Sequence, residues 1–126
     1  MDIQVFTLCE FAQTINGKTN IIGTFNHITP QAFPFVMPDF FVVIKLSFNH
    51  DFNDMLSITL REKEGPDLVS TGAQPITIKA DHRDVIHDVV LRINQAVFRK
   101  PGEYEVVFKI GNEEHVTILY VDENRQ

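Results

Sequence analysis

The fold class is decided by residues 101–121, which read PGEYEVVFKIGNEEHVTILYV. After the Pro-Gly turn, apolar side chains occupy every second position: Tyr104, Val106, Phe108 and Ile110. Successive side chains of a β-strand point to opposite faces, so this period of two predicts a half-buried strand. The pair Gly111-Asn112 follows directly and predicts a hairpin, because these residues suit a tight turn.

The length of the hairpin loop decides which face of the last strand meets the core. A two-residue loop would place His115 and Thr117 opposite Phe108 and Val106. A three-residue loop would instead place the apolar set there: Val116, Ile118 and Tyr120. Hydrophobic matching favours the longer loop or a bulge. We therefore expect His115 not to face the core beside Phe108.

The same alternation recurs upstream. Asp39–Asn49 carries its apolar side chains on one parity, at Phe40, Val42, Ile44, Leu46 and Phe48. The next segment does so at Leu56, Ile58 and Leu60. Weaker patterns predict strands over Ile3–Cys9, Lys18–Ile28 and Ile76–Lys79. Prolines interrupt residues 29–38, at Pro30, Pro34 and Pro38, so we interpret this segment as a connection between two sheets.

The segment from Asp81 to Val97 fits either a helical face or a strand. Its central part, Val85–Ile93, is rich in β-branched residues. Such side chains lose rotamer freedom in a helix and pack well on a pleated sheet. We therefore predict a strand here.

Composition agrees with an all-β fold. The 126 residues include 11 Phe and no Trp, with 44% hydrophobic residues, and no internal repeat divides the chain. A chain of this length usually forms one domain. We predict one antiparallel two-sheet sandwich over residues 1–126, with about seven to nine strands. The segment Phe98–Val121 resembles the closing hairpin of immunoglobulin-like domains.

Charge and cysteine content exclude several functions. The net charge is −6, and the only adjacent basic pair is Arg99-Lys100, so we expect no nucleic-acid partner. A single cysteine, Cys9, forms no intramolecular disulfide. The first residues lack the positive charge of a secretory signal, and the longest apolar run, Phe40–Ile44, is far shorter than the ~20 residues that span a bilayer. We expect a cytoplasmic chain without a membrane span.

The N-terminal third contains three segments that form a pattern: Leu8-Cys9-Glu10-Phe11-Ala12-Gln13, Asn16-Gly17-Lys18-Thr19-Asn20-Ile21-Ile22-Gly23 and Phe33-Pro34. This pattern resembles that of a family of small uncharacterised bacterial proteins. It implies an intracellular bacterial or phage-associated protein of about this length. The family brings no established activity, cofactor or catalytic residue to this chain.

Two acidic segments are candidates for a metal site. The first lies between two predicted strands and contains Asp51 and Asp54, and the second contains Asp84. Carboxylate oxygens at such spacing can bind Ca²⁺. The alternative is that these are solvated turns, because Asp and Asn favour turns through local hydrogen bonds. A site would require both segments to meet at one end of the fold, and we expect no bound cofactor.

Enzymatic signatures are missing from the sequence. Cys9 lies in an apolar strand, where a buried and inert thiol is the usual state. A hydrolase would need a dispersed site built from His82, His87 and nearby acids. No glycine-rich phosphate loop and no nucleophile elbow is present. We therefore predict a protein that is not an enzyme.

An apolar connection is a candidate interaction site. Phe33, Phe35 and Met37 alternate with prolines and Val36 in a loop. If exposed, these three side chains would form a patch that binds a partner. We favour the alternative that they cover the core, because apolar side chains are mostly buried.

The leading functional hypothesis is a non-enzymatic protein-interaction or assembly module that uses a sheet edge or loops. Its partner is another protein or a second copy of the chain. The alternative hypothesis is a Ca²⁺-dependent binding domain with acidic loops. A hydrolase is the third and least favoured hypothesis.

Overall fold

A computed structural model describes residues 1–124 and shows twelve strands and no helix in that range. The strands are β1 (Asp2–Ile15), β2 (Lys18–Phe25), β3 (His27–Ile28), β4 (Phe35–Val36), β5 (Phe40–Phe48), β6 (Phe52–Glu62), β7 (Asp67–Ser70), β8 (Gln74–Ile78), β9 (Val85–Ile93), β10 (Val97–Phe98), β11 (Gly102–Ile110) and β12 (Glu113–Val121). The all-β prediction is confirmed. The count exceeds the expected number because β3, β4 and β10 are two-residue pairings that carry no periodic signal.

The strands form two main sheets and a short ribbon. The β5 sheet has the order β2-β1-β5-β9, and the β11 sheet has the order β3-β12-β11-β6-β7, with β8 also pairing with β6. The ribbon pairs β4 with β10. Every pairing is antiparallel except that of β3 with β12. The chain first changes sheet at Asn26, between β2 and β3, so the predicted strand Lys18–Ile28 is two strands in different sheets. The proline-rich segment then connects the β11 sheet back to the β5 sheet, as expected.

Side chains from both main sheets form one core. The β5 sheet contributes five β5 residues that are at most 1% exposed: Phe40, Val42, Ile44, Leu46 and Phe48. The β11 sheet contributes Ile58, Leu60, Tyr104, Val106, Phe108 and Ile110. Phe6 on β1 contacts Phe108 on β11 edge to face, with ring centroids 6.2 Å apart. Each large side chain that this core removes from water contributes about 1.5–3 kcal/mol to the stability of the fold. The side chains on the predicted apolar parities therefore provide most of the driving force for folding.

A second, smaller core lies on the opposite face of the β5 sheet. Val43 points away from the main core, yet it is fully buried, together with Cys9 and Ala12. Ile21 and Phe41 pack against this group. The distal half of the β1–β2 hairpin therefore covers this face, and Thr19 Oγ1 at its tip donates to Asp88 Oδ2 on β9 at 2.5 Å. Burial raises the pKa of the Cys9 thiol, as expected for an inert cysteine.

The predicted register of the last hairpin is wrong. Ile110 pairs with Glu113, so the loop contains only Gly111 and Asn112, and His115 lies opposite Phe108. Their ring centroids are 6.4 Å apart. The tight loop forms because Gly111 adopts a φ of 56°, which two-residue hairpin loops require at a central position. As a consequence, Val116, Ile118 and Tyr120 face outward rather than toward the core.

The start of β11 is fixed by one buried hydroxyl. Tyr104 is 1% exposed, and its Oη donates to the carbonyl oxygen of Lys100 at 2.6 Å. Its ring packs edge to face on Phe98, with centroids 4.9 Å apart. Burial raises the pKa of the Tyr104 hydroxyl, and the Glu62 carboxylate adds to the shift. The folded chain therefore keeps this proton more tightly than the unfolded chain.

We expect Tyr104→Phe to lower the free energy of unfolding by about 1 kcal/mol at neutral pH, because the Lys100 carbonyl loses its donor. Because the pKa is raised on folding, the stabilisation linked to this proton is present below pH ~10 and is lost above it. Urea titrations between pH ~7 and ~11 should show that the free energy of unfolding decreases less with rising pH in the variant than in the parent. An equal decrease in both proteins would contradict this role of Tyr104.

Candidate functional site

Most of the outer edge of β12 has no neighbouring strand. β3 pairs with this edge only at Tyr120 and Val121. The Tyr120 amide donates to Asn26 O at 2.8 Å, and the Asp122 amide donates to Ile28 O at 3.0 Å. Backbone groups of alternate residues point to the same side of a strand, so Glu114, Val116 and Ile118 direct their N–H and C=O groups to this edge. No strand within residues 1–124 pairs with them there.

The outer face beside this edge is apolar. Val116 and Tyr120 are each 42% exposed, and Ile118 between them is half-buried. The three side chains occupy alternate positions and therefore form one stripe on one face of the strand. We call Val116, Ile118 and Tyr120 the β12 stripe. Exposed apolar side chains next to unpaired backbone groups are characteristic of surfaces that accept another strand.

A cleft of about 360 Å³ lies between the open edge and the β5 sheet. The cleft is lined by residues of β1, β2 and β12 and by the residue between β2 and β3. These residues are Phe6, Thr7, Leu8, Thr24, Phe25, Asn26, Thr117 and Ile118. Phe6 and Phe25 are half-buried and belong to the margin of the main core. The cleft therefore places apolar rings and threonine side chains below the position that an added strand would occupy.

Carboxylates lie at the start of the open edge and beyond its end. Glu113 and Glu114 lie at its start, and their side chains are 55% and 48% exposed. Lys109 Nζ lies 3.9 Å from a Glu114 carboxylate oxygen, a long and solvent-exposed pair that contributes little. Asp122 follows the β3 pairing with 63% exposure, and its Oδ2 lies 2.5 Å from His27 Nε2. The start of the open edge therefore has two exposed carboxylates, whereas Asp122 beyond its end already contacts a histidine.

The three candidate metal ligands are exposed, and two of them accept separate backbone hydrogen bonds. Asp51 Oδ1 accepts a hydrogen bond from the Ala80 amide at 2.9 Å, and Asp54 Oδ1 accepts one from the Met55 amide at 2.8 Å. Asp84 is exposed in the loop before β9. In the part of the chain that the structure describes, no three His, Cys, Asp or Glu side chains come close enough to hold a metal ion. The Asp54 contact is a local turn hydrogen bond, whereas the Asp51 contact joins two loops that are distant in the sequence.

The two polar segments nevertheless meet at one end of the fold. A cleft of about 420 Å³ is lined by His50 and Asp51 from one loop and by Asp81 and His82 from the other. Asp81 and His82 adopt φ angles of 47° and 64°, a strained conformation for residues with side chains. His87 lines a different cleft, on β9, so the histidines considered for a hydrolase do not share a site.

The apolar connection covers the core. Phe33, Phe35 and Met37 are half-buried and pack against the main core, while Val36 between them is 53% exposed. This arrangement corresponds to the favoured alternative for these three residues, and they form no contiguous exposed patch. Their exposure therefore gives no support to the hypothesis that these three side chains bind a partner.

The β12 stripe was missed by reasoning from the sequence, although its signal was present. Val116, Ile118 and Tyr120 were assigned to the core because they are the more apolar parity of the strand. The other parity contains His115 and Thr117 but ends in Leu119 and Val121, which are fully buried. When a strand has apolar residues at both odd and even positions, only one of its two apolar faces packs on the core. The other apolar face stays exposed and can contact a partner.

Comparison with known proteins identifies a family but no activity. A family model described as a family of unknown function (DUF6941) matches residues 4–121. A search of curated proteins produces no match. Among the described residues, no helix is both long and apolar enough to cross a membrane.

Proposed function

Since the chain belongs to DUF6941, a family of unknown function, we propose its role from its own geometry: it is a non-enzymatic module that binds another protein. The binding site is the open edge of β12. The observation that carries this proposal is the coincidence of three unpaired backbone positions, Glu114, Val116 and Ile118, with the apolar β12 stripe. A partner strand would add to the β11 sheet by main-chain hydrogen bonds.

Energetic considerations support strand addition. An added strand would form hydrogen bonds with the N–H and C=O groups that β12 directs to its open edge. Hydrogen bonds of this kind contribute about 0.5–1.5 kcal/mol each. Side chains on the added strand would cover Val116 and Ile118 on the outer face and the cleft next to Phe6 on the inner face. Soluble proteins usually protect a long edge with lysine, proline or a bulge. β12 has none of these between His115 and Leu119.

We also propose that the fold is an immunoglobulin-like two-sheet sandwich. The orders β1-β5-β9 and β12-β11-β6-β7 match the orders A-B-E and G-F-C-C′ of that fold. The Tyr104 hydroxyl that binds the Lys100 carbonyl resembles the tyrosine corner of such domains.

A bacterial, cytoplasmic setting is part of the same proposal. The single buried thiol of Cys9 is compatible with a reducing compartment.

The proposal is tested by removing one edge-directed donor. The Val116 N–H points away from β11, so Val116→Pro removes it without breaking a hydrogen bond of the β11–β12 ladder. The matched control, Val116→Thr, keeps the donor and the β-branched shape. The parent chain and both variants are tagged, immobilised and incubated with a lysate of the native host. The proteins that each of them retains are quantified by mass spectrometry.

We expect at least one protein to be retained by the parent and by Val116→Thr and to fall by about tenfold or more with Val116→Pro, equivalent to ~1.4 kcal/mol. Thermal unfolding verifies that Val116→Pro is folded. If it is not, Ile118→Asp replaces it, because this change places a charge on the outer face and leaves the core intact. Equal retention by all folded variants would contradict binding through this edge.

A further inference from the structure

We infer that the occupant of the β12 edge is an extended segment of another protein, uncharged and β-branched in its centre, with Lys or Arg at the end that lies beside Glu113 and Glu114. This inference rests on the proposed function and specifies its ligand. Three features carry it: the length of the open edge, the two uncharged surfaces beside it and the carboxylates at its start.

The length of the edge limits the segment. Edge-directed backbone groups run from Glu114 to Ile118, and β3 closes the row at Tyr120. Five strand residues extend over roughly 17 Å at ~3.3 Å per residue. The paired part of the ligand is therefore about five residues long, and its flanking residues lie next to the ends of the open edge.

The two surfaces determine the central residues of the ligand. In an added strand, successive side chains would alternate between the outer face and the cleft. The outer set would lie next to the β12 stripe, which is apolar throughout. The inner set would enter the cleft of about 360 Å³, whose lining includes Phe6 and Phe25 together with Thr7, Thr24 and Asn26. Uncharged β-branched residues such as Val and Thr suit both positions, because charged side chains there would lose their hydration without gaining a partner.

The start of the edge determines the charge of the ligand. Glu113 and Glu114 are exposed there, and the whole chain has a net charge of −6. Basic residues at the neighbouring end of the paired segment would meet these two carboxylates. Asp122 lies beyond β3 and contacts His27, so it is not assigned to the ligand. Charge complementarity at the start of the edge increases the association rate and selects among partners.

The same charges argue against a second copy of this chain as the occupant. A two-fold dimer formed through β12 would run the two strands antiparallel. Centred on Val116, such a dimer would place Glu114 of one copy opposite Ile118 of the other and Glu113 opposite Leu119. These carboxylates would then lie beside apolar residues and not beside cations, which disfavours self-association.

The test uses the full chain, labelled with ¹⁵N, and three synthetic peptides with the same alternating Val-Thr centre. One peptide has two lysines at each end, one has two glutamates and one has two serines. Amide exchange and chemical shifts are followed by NMR up to millimolar peptide. We expect the lysine-flanked peptide to slow exchange at Glu114, Val116 and Ile118, and to bind about tenfold or more tightly than the glutamate-flanked peptide.

Charge reversal provides the matched variant. The double substitution Glu113→Lys with Glu114→Lys should reduce or abolish the preference for lysine flanks, and higher salt should weaken the lysine-flanked complex selectively. Equal affinities for lysine and glutamate flanks, or peptide contacts confined to another surface, would overturn the inference. So would protection of these amides that rises with protein concentration in the absence of peptide, because it would identify a second copy as the occupant.

The outcomes separate this inference from the proposed function. If no peptide slows exchange at these three amides, the basic-strand ligand is wrong. The use of the edge is judged independently by the Val116→Pro and Val116→Thr pair, which does not depend on the chemistry of any peptide.

Discussion

Replacing Phe108 with alanine is expected to lower the free energy of unfolding by about 3–5 kcal/mol. Phe108 is fully buried, two residues before the end of β11. Its ring contacts Phe6 of the other main sheet, with centroids 6.2 Å apart, so the substitution leaves a cavity between the sheets. Neighbouring rings held by two separate sheets relax only partly into such a cavity. Urea denaturation of the parent and the variant at equal concentration measures the difference.

Val97→Ala is the control for this prediction. Val97 is 37% exposed in the β4–β10 ribbon, and the change removes two methyl groups that already contact water. We expect it to cost less than about 1 kcal/mol. If Phe108→Ala were no more costly than Val97→Ala, the two main sheets would not share a packed core.

Val43→Asp is expected to destabilise the chain by more than about 3 kcal/mol, although Val43 lies on the face of the β5 sheet that points away from the main core. The β1–β2 hairpin buries Val43 completely, next to Cys9 and Ala12. A carboxylate placed there would lose its hydration and would have only apolar neighbours from that cluster. Thermal and urea unfolding would both detect the loss.

Val90→Asp is the matched control for the hairpin. Val90 on β9 is the direct cross-strand partner of Val43, on the same face of the sheet, but it is 36% exposed. Its carboxylate can reach water, so we expect a loss of about 1 kcal/mol or less. Similar losses for both variants would mean that the hairpin does not cover this face.

Local patterns predicted the strands because one face of each is buried. Alternation in β5, β6 and β11 located the main core correctly, and the β-branched residues of β9 distinguished it from a helix. The second core was not predicted, yet the unbroken apolar run Phe40–Ile44 contains its signal. A strand that is apolar at every position is buried on both faces, so the run could have indicated a covering element.

The open edge could not be predicted, because it depends on which strands pair over long distances in the chain. The register of β12 depends on the conformation of Gly111, and hydrophobic matching alone assigned the strand to the opposite face. β3 covers the edge for two residues only, and no sequence pattern marks so short a pairing. The failed prediction is informative, since the residues wrongly assigned to the core now form the β12 stripe.

The central claim is that β12 presents unpaired backbone groups to a partner. Native-state hydrogen exchange of the free, dilute chain, followed by NMR at individual amides, tests it most directly. We expect Glu114, Val116 and Ile118 to exchange rapidly while His115, Thr117 and Leu119, whose amides point toward β11, are protected. Strong protection of Val116 and Ile118 in the dilute chain would show that the edge is already covered and would contradict the claim.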